Sequence, residues 1–302
     1  MFDFMKIITL RAVYEAKEDG QLPPYLGSTV RGILGHCIRR FVCQKPETKC
    51  FVCSRREECP YVRCFCNTRG EAGAVNPYVL YVHTQGKEKW ETGDPCIFDL
   101  TLFGEAAENP VIYLDALCAA EKMGWGASRM AFRLIRITEP ESGRLIYDGG
   151  RTWRGSLEPH PFHVEQRKAG SASLYFDTPL RIVSGQELFN SLPFPVLIRF
   201  LSSRLSHISA VHTDCRVEWD EEEMMKAAQH VRVVRQTWRE NKFIRYSMNQ
   251  KNNKLELDSK MGWVVYEGDL TGFTPLLEAG KYLHVGKGTT IGFGHYEIGY
   301  GE

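Results

Sequence analysis

Gly286-Lys287-Gly288-Thr289-Thr290-Ile291-Gly292-Phe293-Gly294 carries four glycines in nine residues, between the apolar end of a helix and a final strand. Such a loop presents backbone N–H groups without side-chain hindrance, and Lys287 adds a point charge, so a phosphate can approach closely. It is not a Walker A loop. Five residues separate Gly280 from Gly286 where four are required, and Gly288 stands where Ser or Thr should follow the lysine. Nor is it a dinucleotide fingerprint, because it precedes a strand instead of opening a helix. Two readings remain: a tight helix-to-strand connection, or backbone contact with an extended polyanion. Lys287, Thr289 and Thr290 as added donors favour the second.

A weaker version, Gly124-Trp125-Gly126-Ala127-Ser128, closes the first half. Before it, alternation predicts a strand over Lys6 to Tyr14, then a helix capped by Ser28 with Val30, Ile33, Leu34, Cys37, Ile38 and Phe41 at helical spacing. Strands over Tyr78 to His83 and Cys96 to Phe103, a helix over Asn109 to Met123 and a strand through Phe132, Leu134 and Ile137 follow. The second half repeats the order: strand Ser173 to Val183, helix Phe194 to Val211, strands Thr237 to Tyr246 and Trp263 to Tyr266, helix Pro275 to Leu283 and strand Tyr296 to Ile298. Aligning Gly104 with Gly268 brings Gly124 and Gly126 within two residues of Gly286 and Gly288. The expected class is therefore α+β, two tandem ferredoxin-like (RRM-like, βαββαβ) domains over 1–150 and 171–302, with a cysteine-rich insertion at about 43–66 in the first. The linker falls within the Gly- and Pro-rich stretch Gly149 to Gly170.

At 302 residues the chain is long enough for two domains with separate cores. Its 38 Lys and Arg balance 37 Asp and Glu, a net charge of +1, so an argument for a polyanionic partner must be local. No apolar run is long enough for a transmembrane helix and the N-terminus lacks a signal peptide's pattern, so a cytoplasmic location is the default expectation. Locally, Arg232, Arg235, Arg239, Lys242, Arg245, Lys251 and Lys254 face the single acid Glu240, with Trp238, Phe243 and Tyr246 interleaved. Cations for phosphates and rings for unpaired bases suit an RNA surface. A solvated face balanced by the acidic run Glu218 to Glu223 is the plainer alternative.

Six of the ten cysteines fall within Cys43 to Cys66. Cys43, Cys50, Cys53 and Cys59 are spaced C-x6-C-x2-C-x5-C, in which the Cys50–Cys53 pair can grip one metal ion and two flanking thiolates complete a tetrahedron. A structural zinc is the leading expectation, an iron-sulfur cluster the alternative, and reduced half-buried thiols the plain reading.

Several motifs together resemble the CRISPR repeat-RNA (pre-crRNA) processing endoribonucleases, the Cas-six family of the RAMP superfamily. They are Leu22-Pro23-Pro24-Tyr25-Leu26-Gly27-Ser28 leading into Arg31-Gly32 and Gly35-His36; Cys59-Pro60-Tyr61; Thr101-Leu102-Phe103-Gly104; Thr178-Pro179-Leu180; Arg245-Tyr246-Ser247; and Leu283 to Thr290. The closing segment is the most specific, because a glycine-rich loop before the last strand marks the superfamily. The resemblance implies two ferredoxin-like folds, binding of a precursor CRISPR RNA repeat and one metal-independent cut per repeat. That cut needs a base for the ribose 2′-OH, an acid for the departing 5′ oxygen and cations for the charged transition state, and leaves a 2′,3′-cyclic phosphate and a 5′-OH.

Of the nine histidines, His36 occupies the family's catalytic position in the first helix. The likeness makes Tyr25 its companion and Lys45 a supporting cation; His284, beside the glycine loop, is the rival. Arg39 and Arg40 follow His36 and either grip phosphate or complement a helix C-terminus. Gly286, Lys287, Gly288, Thr289 and Thr290 are the expected backbone-binding residues. The implied partners are the repeat RNA, CRISPR effector subunits and a second copy of the chain. The competing function is a non-cleaving RAMP subunit that holds guide RNA in an effector complex.

Overall fold

Lys6–Ala16 forms the first strand (β1), and its alternation buries Ile8, Leu10, Ala12, Tyr14 and Ala16 while Arg11, Val13 and Glu15 stay partly exposed. Period 2 puts the buried set on one sheet face, and the helices cover that face. The computed structural model describes residues 1–66, 75–184, 187–246 and 254–301, without the side chains of 184, 244–246 and 254–255. The chain divides into two compact units. One holds Asp3–Phe162 with His207–Cys215; the other holds Met1–Phe2, His163–Ser206 and Arg216–Glu302.

In the first unit β1 is followed by α1 (Gly27–Val42), β2 (Tyr78–Val82), β3 (Pro95–Phe103), α2 (Val111–Ala120), β4 (Met130–Thr138) and β5 (Leu145–Asp148). The sheet order is β2-β3-β1-β4-β5, antiparallel throughout, so its first four strands have ferredoxin-like topology. Val30, Ile33, Leu34, Cys37 and Ile38 of α1 and Tyr113, Leu114, Ala116 and Leu117 of α2 meet the sheet's buried face. Each large side chain so buried is worth about 1.5–3 kcal/mol. Two core phenols satisfy their hydroxyls on backbone: Tyr14 donates to Leu117 O at 2.6 Å and Tyr113 to Cys64 O at 2.7 Å. The helix begins earlier than its expected cap. Leu26 is the N-cap without a side-chain bond, and Ser28 lies inside the first turn, because burying Leu26 and Gly27 draws the start of the helix toward the core.

The second unit repeats the topology with β6 (Ser171–Leu180), α3 (Phe194–His212, its residues from His207 counted with the first unit), α4 (Glu221–Gln229), β7 (Arg232–Tyr246), β8 (Lys254–Glu267), α5 (Thr274–Leu283) and β9 (Glu297–Gly301). Its order, β7-β8-β6-β9, is the same permutation. Helix α4 is an addition to the expected elements and accounts for the acidic run. Asp220 caps it by accepting from Glu223 N at 2.9 Å, and Glu221, Glu222 and Glu223 occupy the first turn, where carboxylates complement the helix dipole. The β7–β8 ladder is longer than expected and pairs Arg232 with Glu267 at one end and Tyr246 with Lys254 at the other. Among the described residues no helix is long and apolar enough to cross a membrane.

Candidate nucleic-acid interface

The closing loop owes its glycines to close backbone packing. Gly286, Gly288, Gly292 and Gly294 all have φ between 78° and 93°, where a Cβ is strained. A Cβ on Gly286 would lie 2.6 Å from the carbonyl of Arg181, and one on Gly294 would run into the carbonyl of Val285. Lys287 N donates to Arg181 O at 2.8 Å and Gly294 N to Pro179 O at 2.9 Å, tying the loop to the end of β6 and the residue after it, while Val285 N donates to Gly294 O at 2.9 Å within the loop. Ile291, Gly292 and Phe293 also donate within the loop, to Gly288, Thr289 and Gly288. The expectation of an open amide cradle is thereby narrowed: much of the loop's donor capacity builds the loop itself, because its apolar part, Ile291 and Phe293, is buried. Lys287 is exposed and Gly288 and Thr290 are half-buried, whereas Thr289 is 4% exposed.

The same device recurs in the first unit. Gly126, at φ 67°, lets Leu22 approach to where a Cβ would meet its Cδ2 at 2.6 Å. In each unit the loop before the fourth sheet strand thus packs against the segment following the first.

The histidines separate by burial. His36 is exposed on α1, whereas His284 is 1% exposed, and its Nδ1–H donates to Phe293 O at 3.1 Å. Burial, then the charges of His295 and Arg204, hold His284 well below the ordinary histidine value, so it is a neutral core residue. Arg204, half-buried and lowered to about 10 by desolvation, donates to Leu283 O at 2.6 Å.

Around α1, Tyr25 is half-buried in the loop that precedes the helix, and Lys45, exposed, donates to Ser54 Oγ at 2.9 Å. Arg39 and Arg40, in the last turn, have different uses. Arg39 donates to Pro46 O at 2.7 Å and Thr48 O at 3.4 Å, bracing the segment after the helix, while Arg40 stays exposed. The basic strand divides similarly. Arg232 is held by Glu267 Oε2 at 2.6 and 3.1 Å, Arg235 lies over the Trp263 ring, and Arg239 and Lys242 are exposed. The side chain of Arg245, with Lys251 and the rest of the hairpin tip, lies outside the described residues.

None of the six cysteines from Cys43 to Cys66 is in a disulfide with another described residue; Cys43, Cys50, Cys53, Cys59 and Cys66 are half-buried and Cys64 is buried. Cys50 makes a hydrogen bond with Cys66, and burial, then the Cys66 charge, pushes its thiol up to about 11. Cys66 therefore joins the four thiols singled out by spacing. Among the described residues, the ligand atoms that gather within 4.8 Å of one another are those of Glu139, Glu141 and His160, not three or more of these thiols.

One polar cluster escapes the sequence pattern. Asp99 of β3, 8% exposed, accepts from Arg11 Nε and Nη2 at 2.8 and 2.7 Å, and His83 Nε2 lies 2.9 Å from its Oδ2. These bonds outweigh burial and hold the Asp99 carboxyl below its ordinary value. The available signal is a lone carboxylate inside Ile97-Phe98-Asp99-Leu100, on the face opposite Phe98 and Leu100.

Comparison with known proteins covers both halves. Residues 5–162 match the family AF_1859_N, an N-terminal domain, and residues 174–296 match CRISPR-associated endoribonuclease Cas6. An uncharacterized protein of Archaeoglobus fulgidus is 23% identical over 187 residues, 61% of this chain, and the chain spans 63% of that relative's length. A solved partial Cas6-RT-Cas1–Cas2 complex superposes with a TM-score of 0.64 at 11% identity over 99% of this chain and 46% of that one. A Cas6 product complex gives 0.57 at 18% identity, covering 96% and 99%, and Thermus thermophilus Cas6 gives 0.55 at 15%, covering 97% and 98%. At these identities the structural likeness is one of fold. Over a duplicated ferredoxin-like fold whose last strand follows the glycine loop, residues 5–162, just over half of the chain, place it in the family defined by the AF_1859_N N-terminal domain, and its second half matches the Cas6 family of CRISPR-associated endoribonucleases.

Proposed function

We propose that this chain binds precursor CRISPR RNA repeats and cuts each once by attack of a ribose 2′-OH on the adjacent phosphorus, leaving a 2′,3′-cyclic phosphate and a 5′-OH. The observation that carries the reading is an exposed histidine, His36, on the first helix of a chain whose second half matches the Cas6 family. The nucleophile belongs to the substrate, so the protein need only move two protons and stabilise charge, and the chemistry calls for no metal ion. His36 serves as acid or base, the role a positioned imidazole most often fills in proton transfer. Tyr25 orients the reacting ribose or phosphate, and Lys45, with Arg40, supplies positive charge.

Lys287, Gly288, Thr289 and Thr290, with Gly286 shaping the turn, and the cations Arg235, Arg239, Lys242 and Arg245 grip the RNA backbone; Arg39 and Arg232 steady the elements around them. The cysteine-rich insertion holds a structural zinc, with an iron-sulfur cluster as the alternative, through thiolates among Cys43, Cys50, Cys53, Cys59 and Cys66. Partners on this reading are the repeat RNA, other CRISPR subunits and a second copy of the chain. A relative solved with RT-Cas1 and Cas2 and another solved as a product complex support the first two. The setting is the cytoplasm, where free thiols persist.

Purified protein with its cognate repeat RNA in EDTA should release product ending in a cyclic phosphate. His36→Ala should cut about 10²–10⁴-fold more slowly, the usual worth of acid–base catalysis, with RNA affinity retained. Binding without any scission by the native protein would instead assign it as the guide-holding subunit. Full activity in His36→Ala would move the role to His83, which Asp99 orients.

A further inference from the structure

The sheet of the second unit has two unlike faces. Leu174 and Phe176 of β6 and Val264 and Tyr266 of β8 point into the core, where Phe194 of α3 packs edge-on against Tyr266 with ring centroids 5.0 Å apart. Alternation sends Ser173 and Tyr175 of β6, Trp263 and Val265 of β8 and Arg235 and Thr237 of β7 to the opposite face. Register sets Tyr175 beside Trp263, and Ser173 beside Val265. On that face Tyr175 is 55% exposed and Trp263 half-buried, and the Arg235 guanidinium lies 5.5 Å from the Trp263 ring centroid. On the other flank β9 sets Glu297 beside Tyr175 and Gly299 beside Ser173, and a Cβ on Gly299 would meet nothing within 4 Å.

We infer that Tyr175 and Trp263 form a stacking platform for unpaired bases of the RNA, with Arg235 set to meet the phosphate between them. The platform presupposes the RNA-processing reading above and adds to it a seat for single-stranded nucleotides. Three features converge on that occupant. The two rings stand on the first and third strands of a βαββαβ sheet, the positions from which aromatic side chains stack bases in RRM domains. A pair made of exposed Tyr175 and half-buried Trp263, flanked by Arg235 and Arg239, is complementary to flat rings strung on an anionic backbone. Ser173 and Gly299 are small and leave room beside the Tyr175 ring for a base to lie flat. Glu297 on the β9 flank disfavours phosphate there, which sets the backbone on the β7 side.

Fluorescence anisotropy with the full chain tests this, using a 5′-labelled oligouridylate as single-stranded probe and a base-paired hairpin of equal length. Tyr175→Ala should weaken oligouridylate binding about tenfold, within the usual worth of one base stacked on an aromatic ring, while Tyr175→Phe binds like the native chain. Hairpin affinity should not change. Tyr175 is exposed, so thermal melts of the variant should match the native protein. As a check independent of that variant, oligouridylate should quench native tryptophan fluorescence, and Trp263→Phe should abolish that quenching. A native chain that binds oligouridylate while Tyr175→Ala binds equally well, or whose quenching survives Trp263→Phe, overturns the platform and leaves the processing reading standing. A native chain that binds neither probe nor cognate repeat RNA overturns both.

Discussion

Gly294 shows how a single missing Cβ shapes the closing loop. Its φ is 78°, and the space a Cβ would need is filled by the carbonyl of Val285, whose own N–H donates to Gly294 O. Gly294→Ala should therefore lower stability by about 3 kcal/mol, combining left-handed strain with overpacking, as measured by urea unfolding. A change below about 0.5 kcal/mol would mean that the loop adjusts at no cost and that its glycines serve only the ligand. The glycine pattern was plain in the sequence, but the reason for each glycine was not. Gly286 is required by Arg181 and Gly126 by Leu22, both distant along the chain. The histidines illustrate the same limit. His36 and His284 are alike as letters, yet one is exposed and the other sealed in a core.

At the scale of elements, strands and helices follow the period of their apolar residues, and the departures have local causes. Helix α4 arises from an Asp220 cap and three first-turn glutamates, a pattern easily mistaken for a neutralising acidic run. Arg232 finds its carboxylate instead across the β7–β8 ladder, in Glu267. The segment from Cys43 to Cys66 contains only a short 3-10 turn and one π-helical turn. Little of it is buried beyond Val62, Cys64 and Phe65, so a bound metal would supply the cross-link its small core does not. Protein purified under reducing conditions should carry about one zinc per chain by elemental analysis, and Cys50→Ser should lose it and melt at lower temperature. Metal-free native protein with an unchanged melting temperature would leave these residues as plain thiols.

For the molecule as a whole, buried titratable groups set the response to acid. His284 is held neutral by burial and by the nearby His295 and Arg204, so its folded value lies below the ordinary 6.5. The unfolded chain then binds a proton that the folded chain refuses, and stability present above pH 6.5 is lost as pH falls toward the depressed folded value. The loss approaches about 1.4 kcal/mol per pH unit for this one group. Thermal melts between pH 7.5 and 5.5 should show a falling midpoint that His284→Gln flattens; equal slopes in both proteins would assign the acid sensitivity elsewhere.

The order of strands and helices within each ferredoxin-like half, though not α4 or β5, the duplication and the glycine loop were decided by the sequence alone, because residue periodicity and the need for positive φ are local properties of the chain. Tertiary structure alone decided which histidine meets solvent, which arginines are already committed, and that Arg11, Asp99 and His83 meet although Arg11 and Asp99 are 88 residues apart. It also turned Tyr175 and Trp263 to one open face. Burial and ion pairing depend on which distant segments share a sheet, and strand register, not local composition, sets that.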